Sequence, residues 1–251
     1  MHKKNIGLIL ARAGSKGLKN KNLLKLSNFN LIEWAYYAAK DTNFIDQIVI
    51  STNYSKNYFK DLDIVYYKRP EILCTDKATS YDAILNAIEY IEKKIVAINS
   101  ITLLEPPCPF RNGKLLNKVF DFFNNHCASS VVTIKKVDDF HPIRMKKLGY
   151  ENLLTSIHRD FEEPSKGLPR QLQNDIYIRD TAVYMFDPAH LKNNYGSLYG
   201  NKPIGFINNS ITSNIDSKID YLFCSNLIDQ YLKGKINIEI PTFIKKQIKS
   251  K

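Results

Sequence analysis

The chain is short of everything that would build a disulfide scaffold or a histidine metal cage. Its four cysteines, Cys74, Cys108, Cys127 and Cys224, are far apart and no C-x-x-C occurs, so neither a disulfide framework nor a zinc site is signalled. Five scattered histidines lack H-x-x-x-H spacing, which argues against a His-bound metal. Long apolar runs are missing too. Met-His-Lys-Lys-Asn is followed by a five-residue apolar stretch, far too short for a signal peptide or a membrane span. The chain therefore reads as cytoplasmic, without membrane insertion. Acidic residues number 25 against 36 basic ones, a net charge of +11, a balance that suits nucleic acid, an acidic membrane surface or anionic small molecules. However, the lysines are scattered, the one dense cluster is the C-terminal KKQIKSK, and no basic stripe is interleaved with aromatics. Nucleic acid is therefore not expected as a partner. A composition of 44% hydrophobic and 24% charged residues argues against disorder. A length of 251 residues gives one large domain or two small ones, enough for a sizeable core.

What the chain does have is concentrated near its start, in Ile6–Asn22, IGLILARAGSKGLKNKN. Ile6, Leu8, Ile9 and Leu10 form an apolar run that reads as a buried parallel strand. It stops at Ala11-Arg12-Ala13-Gly14-Ser15-Lys16-Gly17, a loop of small residues carrying two cations. Gly14 and Gly17 permit backbone angles and close approaches that a side chain blocks. Backbone N–H groups in such a loop can cradle phosphate oxygens, with Arg12, Lys16 and Lys21 adding charge. A flexible surface turn is the other reading of the same residues. The spacing is neither that of a P-loop nor G-x-G-x-x-G.

Further along, apolar spacing over 31–39 predicts a helix, Gln47–Ser51 a second strand and Asp63–Tyr67 a third. Residues 82–93 carry one apolar helical face, 98–104 a buried strand, 113–125 a helix and 129–135 a strand. This alternation predicts a doubly wound, mostly parallel α/β sheet in three layers. In such sheets ligands bind beyond the carboxyl ends of the strands, where strand order reverses. From Asp138 to Asn174 the periodicity fails. A stretch of that length without pattern is expected to be functional or an interaction excursion, within what is otherwise a single domain over 1–251. Residues 175–186 and 202–207 return as strands and 220–232 as a helix. The basic tail after Gly234 reads as a loosely held helix or partly disordered.

The stretch ARAGSKGLKNKN resembles A-R-x-G-S-K-G-x-x-x-K-N, the opening signature of the acylneuraminate cytidylyltransferases, the CMP-sialic acid synthetases, and matches in family order continue to about residue 230. The resemblance implies that Ala11, Arg12, Gly14, Ser15, Lys16, Lys21 and Asn22 serve the nucleotide. Arg69-Pro70-Glu71-x-Leu73 with Asp76 and Ser80 is similar to R-P-x-x-L-x-x-D-x-A-S-S, which adds Arg69, Ala78 and Ser80. Taken by residue type alone, Arg69 is equally a surface cation at a strand end, and Asp76 a helix N-terminal residue. Leu103-Leu104-Glu105-Pro106-Pro107-Cys108-Pro109-Phe110-Arg111 resembles L-L-Q-P-T-S-P-L-R, with Glu105 standing for a Gln between nucleotide and sugar sites. A Pro-rich strand exit makes a rigid turn, under which Cys108 reads as a small packed residue. Arg170-Gln171, then Asp180-Thr181-Ala182-Val183-Tyr184, resembles R-Q followed by N-G-A-I-Y. Together with Arg144 of His141-Pro142-x-Arg144, these residues would border the sugar. Arg170 suits a carboxylate through its planar fork, while His141 reads as a structural histidine. Asn214-Ile215-Asp216 resembles the metal-holding D-I-D, with only the second aspartate kept.

The activity implied is transfer of CMP from CTP to the anomeric hydroxyl of an acidic nonulosonic sugar, with release of pyrophosphate. Arg12, Lys16, Lys21 and Asp216 would act at the phosphates, with Mg²⁺ as cofactor. The excursion 138–174 would form the interface of a homodimer. Activation of another acid, Kdo-like or a phosphonate, and a non-catalytic nucleotide-binding module are the competing readings. For the metal, Asp216 and Glu105 are the expected anionic ligands, Glu105 replacing the charge absent at Asn214. The alternative is that Glu105 faces solvent or pairs with Arg111.

Overall fold

The computed structural model describes residues 2–14, 17–164, 166–193 and 197–250. Seven strands make the main sheet: β1 (Lys4–Ala11), β2 (Gln47–Thr52), β3 (Val65–Lys68), β4 (Ile98–Leu103), β5 (Ser130–Lys136), β6 (Tyr177–Phe186) and β7 (Pro203–Ile207). Their order across the sheet is β7-β5-β6-β4-β1-β2-β3. β1 is paired in parallel with both β2 and β4, and β3 continues in parallel from β2. β6 runs antiparallel to β4, with Tyr184 opposite Leu103. β1 is therefore the switch point: the chain first builds outward on one side of it, then returns to build on the other. The sheet is mixed and mostly parallel, as the alternation of apolar runs predicted.

Helices cover both faces. The first face packs α1 (Leu31–Lys40) and α3 (Gly113–Asn125) through Ile32, Ala35, Leu116 and Val119. The other packs α2 (Ser80–Lys94) through Ile84, Ala87, Ile88 and Ile91. Residues of β1 alternate between these two clusters, Ile9 and Ala11 on one side and Ile6 and Leu8 on the other. This two-sided burial is why the strand reads as an unbroken apolar run. α1 starts at a capping box, in which Asn30 accepts from the Glu33 N–H and Glu33 accepts from the Asn30 N–H.

A third cluster gathers Leu31, Trp34, Phe110 and Ile215 with α5 (Lys218–Leu232) and α6 (Thr242–Lys249), a short α4 (Pro188–Asn193) having come earlier in the chain. The basic tail thus ends in a docked helix whose Ile244 and Ile248 are buried. Apolar residues four apart bind the tail down, and the lysines between them face solvent. Three further boundaries differ from the sequence expectation. β3 begins at Val65 rather than Asp63, the last long helix begins at Lys218, and a hairpin of Lys25–Leu26 with Phe29–Asn30 precedes α1.

The chain divides into two compact units, residues 1–133 with 180–251, and residues 134–179. The second contains an antiparallel hairpin, Lys146–Leu148 with Leu154–Ser156, and several single 3₁₀ turns. Apart from His141 and Ile143 it buries little, and Phe140, Leu148, Tyr150, Leu153, Leu154 and Leu172 are exposed.

Candidate active site

Loops leaving the carboxyl ends of β1, β3 and β4, the N terminus of α2 and the loop before α5 enclose a cavity of about 640 Å³. Its wall includes Arg12, Lys21, Asn22, Arg69, Ala78, Ser80, Glu105 and Asp216, residues drawn from five separate stretches of sequence. The position is the one expected for a ligand in an open α/β sheet, beyond the strand ends at the switch point.

Each element is aimed by local chemistry. Ala11 ends β1 with its side chain buried, and the loop beyond is braced by Asn53, whose side-chain carbonyl accepts from the Ala13 N–H at 2.8 Å. Gly14 has φ +83°, a left-handed turn that redirects the chain. A Cβ at Gly17 would lie 2.6 Å from the carbonyl oxygen of Asp216, so the opening loop and the loop before α5 touch backbone to backbone only because residue 17 is glycine. The loop before α5 is itself anchored. Ile215 is fully buried and its N–H donates to the Pro107 carbonyl at 2.9 Å. Ser217 and Asp220 form a capping box on α5, and the Asp216 N–H donates to the Asp220 carboxylate at 3.0 Å. Those hydrogen bonds hold the Asp220 carboxyl below its ordinary pKa.

Among the described residues, three cations line the cavity. Arg12 pairs with Asp76 at 2.9 Å and donates to the Cys74 carbonyl at 3.3 Å. Lys21 pairs with Asp216 at 2.5 Å. Arg69 is only 4% exposed; it donates to the Ser51 hydroxyl at 3.1 Å and to the Ser51 carbonyl at 2.6 Å. Burial, with Arg12 nearby, pulls its pKa below the ordinary guanidinium value. No carboxylate among the described residues is bonded to it. A buried guanidinium without an anion is costly unless something else supplies acceptors, and here the free side of the group is the cavity. Ser80 opens α2 behind the N-cap Thr79, so the positive end of a 15-residue helix also points there. Asn22, 4% exposed, donates to the Arg12 carbonyl at 3.1 Å, while its own carbonyl oxygen has no partner among the described residues. The site is thus preset for an anion together with a planar polar group.

The remaining residues of the expected set are distributed differently. Ser15 and Lys16 lie outside the described residues. Arg144, Arg170 and Gln171 belong to the 134–179 unit, where Arg144 and Arg170 both pair with Asp139 and Arg170 and Gln171 line a separate 250 Å³ pocket beside His141. His141 is structural: Nδ1 accepts from the Ile143 N–H and Nε2 donates to the Asn174 carbonyl. Asp180 and Tyr184 do not line the 640 Å³ cavity. Tyr184 is buried among the α2-side core. Asp180 is buried, with acceptor sites filled by the Thr133 hydroxyl, the Ala182 N–H and the Asn208 amide, so its carboxylate braces β6 against β5. Arg111 is fully buried and donates to the backbone carbonyls of Glu105 and Ala182, which fixes the Pro-rich turn from below. Ser51 and Asn53 are the site residues that the sequence did not single out. Their partners, Arg69 and Ala13, are 18 and 40 positions away, so no local pattern reveals them; Asp76, read as a helix N-terminal residue, lies before α2 and pairs with Arg12.

The sequence profile of the cytidylyltransferases matches residues 6–143, more than half of the chain and all the strands that surround this cavity. The chain belongs to the cytidylyltransferase family. It is accordingly a nucleotidyltransferase. Among curated relatives it is 25% identical to the post-translational flagellin modification protein B of Campylobacter coli, over 88% of this chain and 94% of that one. It is also 25% identical to the CMP-N,N'-diacetyllegionaminic acid synthase of Legionella pneumophila, over 89% and 96%. Identity is 29% with the N-acylneuraminate cytidylyltransferase of Escherichia coli, over 60% of this chain but only 38% of that one. The chain therefore spans about two fifths of that longer relative and nearly all of the other two. The solved CMP-2-keto-3-deoxy-manno-octonic acid synthetase has the same fold, with a TM-score of 0.65 at 12% identity, covering 91% of this chain and 100% of that one.

Proposed function

We propose that this cytidylyltransferase transfers CMP from CTP to the anomeric hydroxyl of an acidic nonulosonic sugar of the sialic, legionaminic or pseudaminic type. The hydroxyl oxygen attacks the α-phosphorus and gives up its proton to solvent, the bond from that phosphorus to the β-phosphate oxygen breaks, and pyrophosphate leaves. The observation that carries this reading is the convergence of Arg12, Lys21, Asn22, Arg69 and Ser80 on one cavity at the β1 switch point. Arg12, Lys21 and the α2 N terminus face the triphosphate, and catalysis is positioning with charge neutralisation. Arg69 and Asn22 offer donors and one open acceptor to the base. Lys16, by the signature it shares, acts with them. By the resemblance, Glu105 at the cavity and, within the 134–179 unit, Arg144, Arg170 and Gln171 serve the sugar, while Tyr184 and Asp180 act in the packing of β6. A relative matched over nearly its whole length is named as a CMP-N,N'-diacetyllegionaminic acid synthase, which favours the nonulosonate class.

Mg²⁺ fits the donors present. Asp216 and Glu105 line the cavity, while no cluster of three or more His, Cys, Asp or Glu among the described residues could hold an ion unaided. This is the pattern of a cation carried by one or two carboxylates, substrate phosphates and water. When bound, it would neutralise charge on the triphosphate and the departing pyrophosphate.

The assembly would be a cytoplasmic homodimer. The exposed apolar side chains of the 134–179 unit support an interface there, and no described helix is long and apolar enough to cross a membrane. Light scattering should give twice the 29.0 kDa chain mass; a single-chain mass at micromolar concentration overturns the dimer. Pyrophosphate release from CTP with N-acetylneuraminate, legionaminate, pseudaminate and Kdo tests the activity. Turnover with a nonulosonate is expected. Turnover with Kdo alone, or equal use of a purine triphosphate, would overturn the assignment.

A further inference from the structure

The Asp216 side chain is 61% exposed, yet both of its carboxylate oxygens are engaged by neighbouring side chains. Oδ1 accepts from the Lys21 ammonium at 2.5 Å and Oδ2 accepts from the Asn214 side-chain amide, also at 2.5 Å. A carboxylate oxygen is acceptor-only, so Asn214 must present its NH₂ rather than its carbonyl to Asp216. Asn214 is thereby a second donor on the carboxylate and not a second anion beside it. The local formal charge of Lys21, Asn214 and Asp216 is zero, and any divalent cation approaching Asp216 meets the Lys21 charge at hydrogen-bond range. The partners differ in freedom. Asp216 is held by the buried Ile215, by its own N–H on Asp220 and by the backbone contact at Gly17. Lys21 sits on the four-carbon stem of a residue in the single 3₁₀ turn Lys21–Leu23, so it is the movable member.

We propose that Lys21 and Asn214 keep Asp216 closed to divalent cations until a nucleotide triphosphate draws Lys21 away, and that Asn214 is a positioning residue that sets this order by donating to Oδ2. The proposal rests on the nucleotidyl-transfer reading for the opening step, but the closed state is a property of the chain alone. Metal then enters with, or after, the nucleotide and not before it, and by linkage each raises the affinity for the other.

The test uses the full chain and Mn²⁺ as the probe, read by electron paramagnetic resonance of free Mn²⁺ without nucleotide. Wild type should bind Mn²⁺ weakly. Asn214→Asp, which replaces the amide donor by a carboxylate, and Lys21→Met, which removes the competing charge, should each tighten nucleotide-free Mn²⁺ binding at least tenfold. Adding Asp216→Asn to either variant should abolish the gain, and circular dichroism checks that each variant is folded. Wild-type affinity within twofold of both folded variants would overturn the closed state, as would a gain that survives Asp216→Asn. A non-hydrolysable CTP analogue should tighten Mn²⁺ binding to wild type more than to Lys21→Met. If the analogue binds wild type, measured separately in EDTA, but the two enhancements are equal, the opening step is wrong. If the analogue does not bind at all, the nucleotide reading fails, while the nucleotide-free titrations still judge the lock.

Discussion

Gly17→Ala is the most informative single perturbation of the site. The new Cβ would sit 2.6 Å from the backbone carbonyl of Asp216, and ordinary contact begins at 3.4 Å, so the two loops must part by close to 1 Å. Neither side can yield as a flexible side chain would, because the obstacle is backbone and that backbone is pinned by Ile215 and the α5 capping box. Overpacking of this kind costs about 1–3 kcal/mol, which for a chain of this size lowers the thermal midpoint by about 2–4 °C per kcal/mol. The functional effect should be larger than the stability effect. Displacing Asp216 from Lys21 misaligns groups on opposite walls of the cavity, and a misplacement near 1 Å costs about 10²-fold in rate. Calorimetric titration with CTP and steady-state pyrophosphate release should therefore show kcat/KM down by one to two orders of magnitude in a folded protein. Gly234→Ala is the control. Unlike Gly17 it has a left-handed φ, +70°, but nothing within 4 Å, so it should cost about 1–2 kcal/mol of backbone strain and leave kinetics unchanged. Wild-type kcat/KM in Gly17→Ala would refute the contact between the two loops.

Thr181 holds φ +60°, a left-handed conformation that a β-branched residue adopts at a cost of about 1–2 kcal/mol. Thr181→Gly should raise stability by up to about 1 kcal/mol net of the glycine's unfolded-state entropy, a rise of about 2–4 °C in the thermal midpoint; a lower midpoint would show that the hydroxyl contacts outweigh the strain. The cysteines should titrate in order of access with an aromatic disulfide reagent. Exposed Cys127 should react first and half-buried Cys74 more slowly, whereas buried Cys108 and Cys224 should react only after denaturation; burial raises both of those thiols, Cys224 to about 11. Because the folded-state pKa of Asp220 is depressed, its contribution is complete above its unfolded value of about 3.9 and is lost as pH falls through the folded value. The stability gap between wild type and Asp220→Asn should therefore be constant from pH 7 to 5 and close below pH 4, and a gap unchanged at pH 2.5 would remove Asp220 from the cap.

Several parts of this protein were already determined in its sequence. Ile6–Leu10 and Ile48–Ile50 lie in strands buried on both faces, so each had to be an apolar run, and helices at crossover length between the strands imply parallel pairing. The glycines and cations after β1 mark a phosphate-type loop because a backbone approach cannot be made past a side chain. Tertiary structure decided what periodicity does not encode. Apolar spacing reports that a face is buried, not which neighbour buries it, so the strand order, the antiparallel β6 and the docking of Ile244 and Ile248 were not readable. The same holds for charge. Residue type cannot separate the buried Arg69 from a surface arginine, because the difference lies in Ser51, which caps it from an adjacent strand. Nor can it show that Asp180 is filled by Thr133, Ala182 and Asn208 while Asp216 meets Lys21 across 195 residues. A carboxylate's role is set by the donors around it, and those donors are assembled only by the fold.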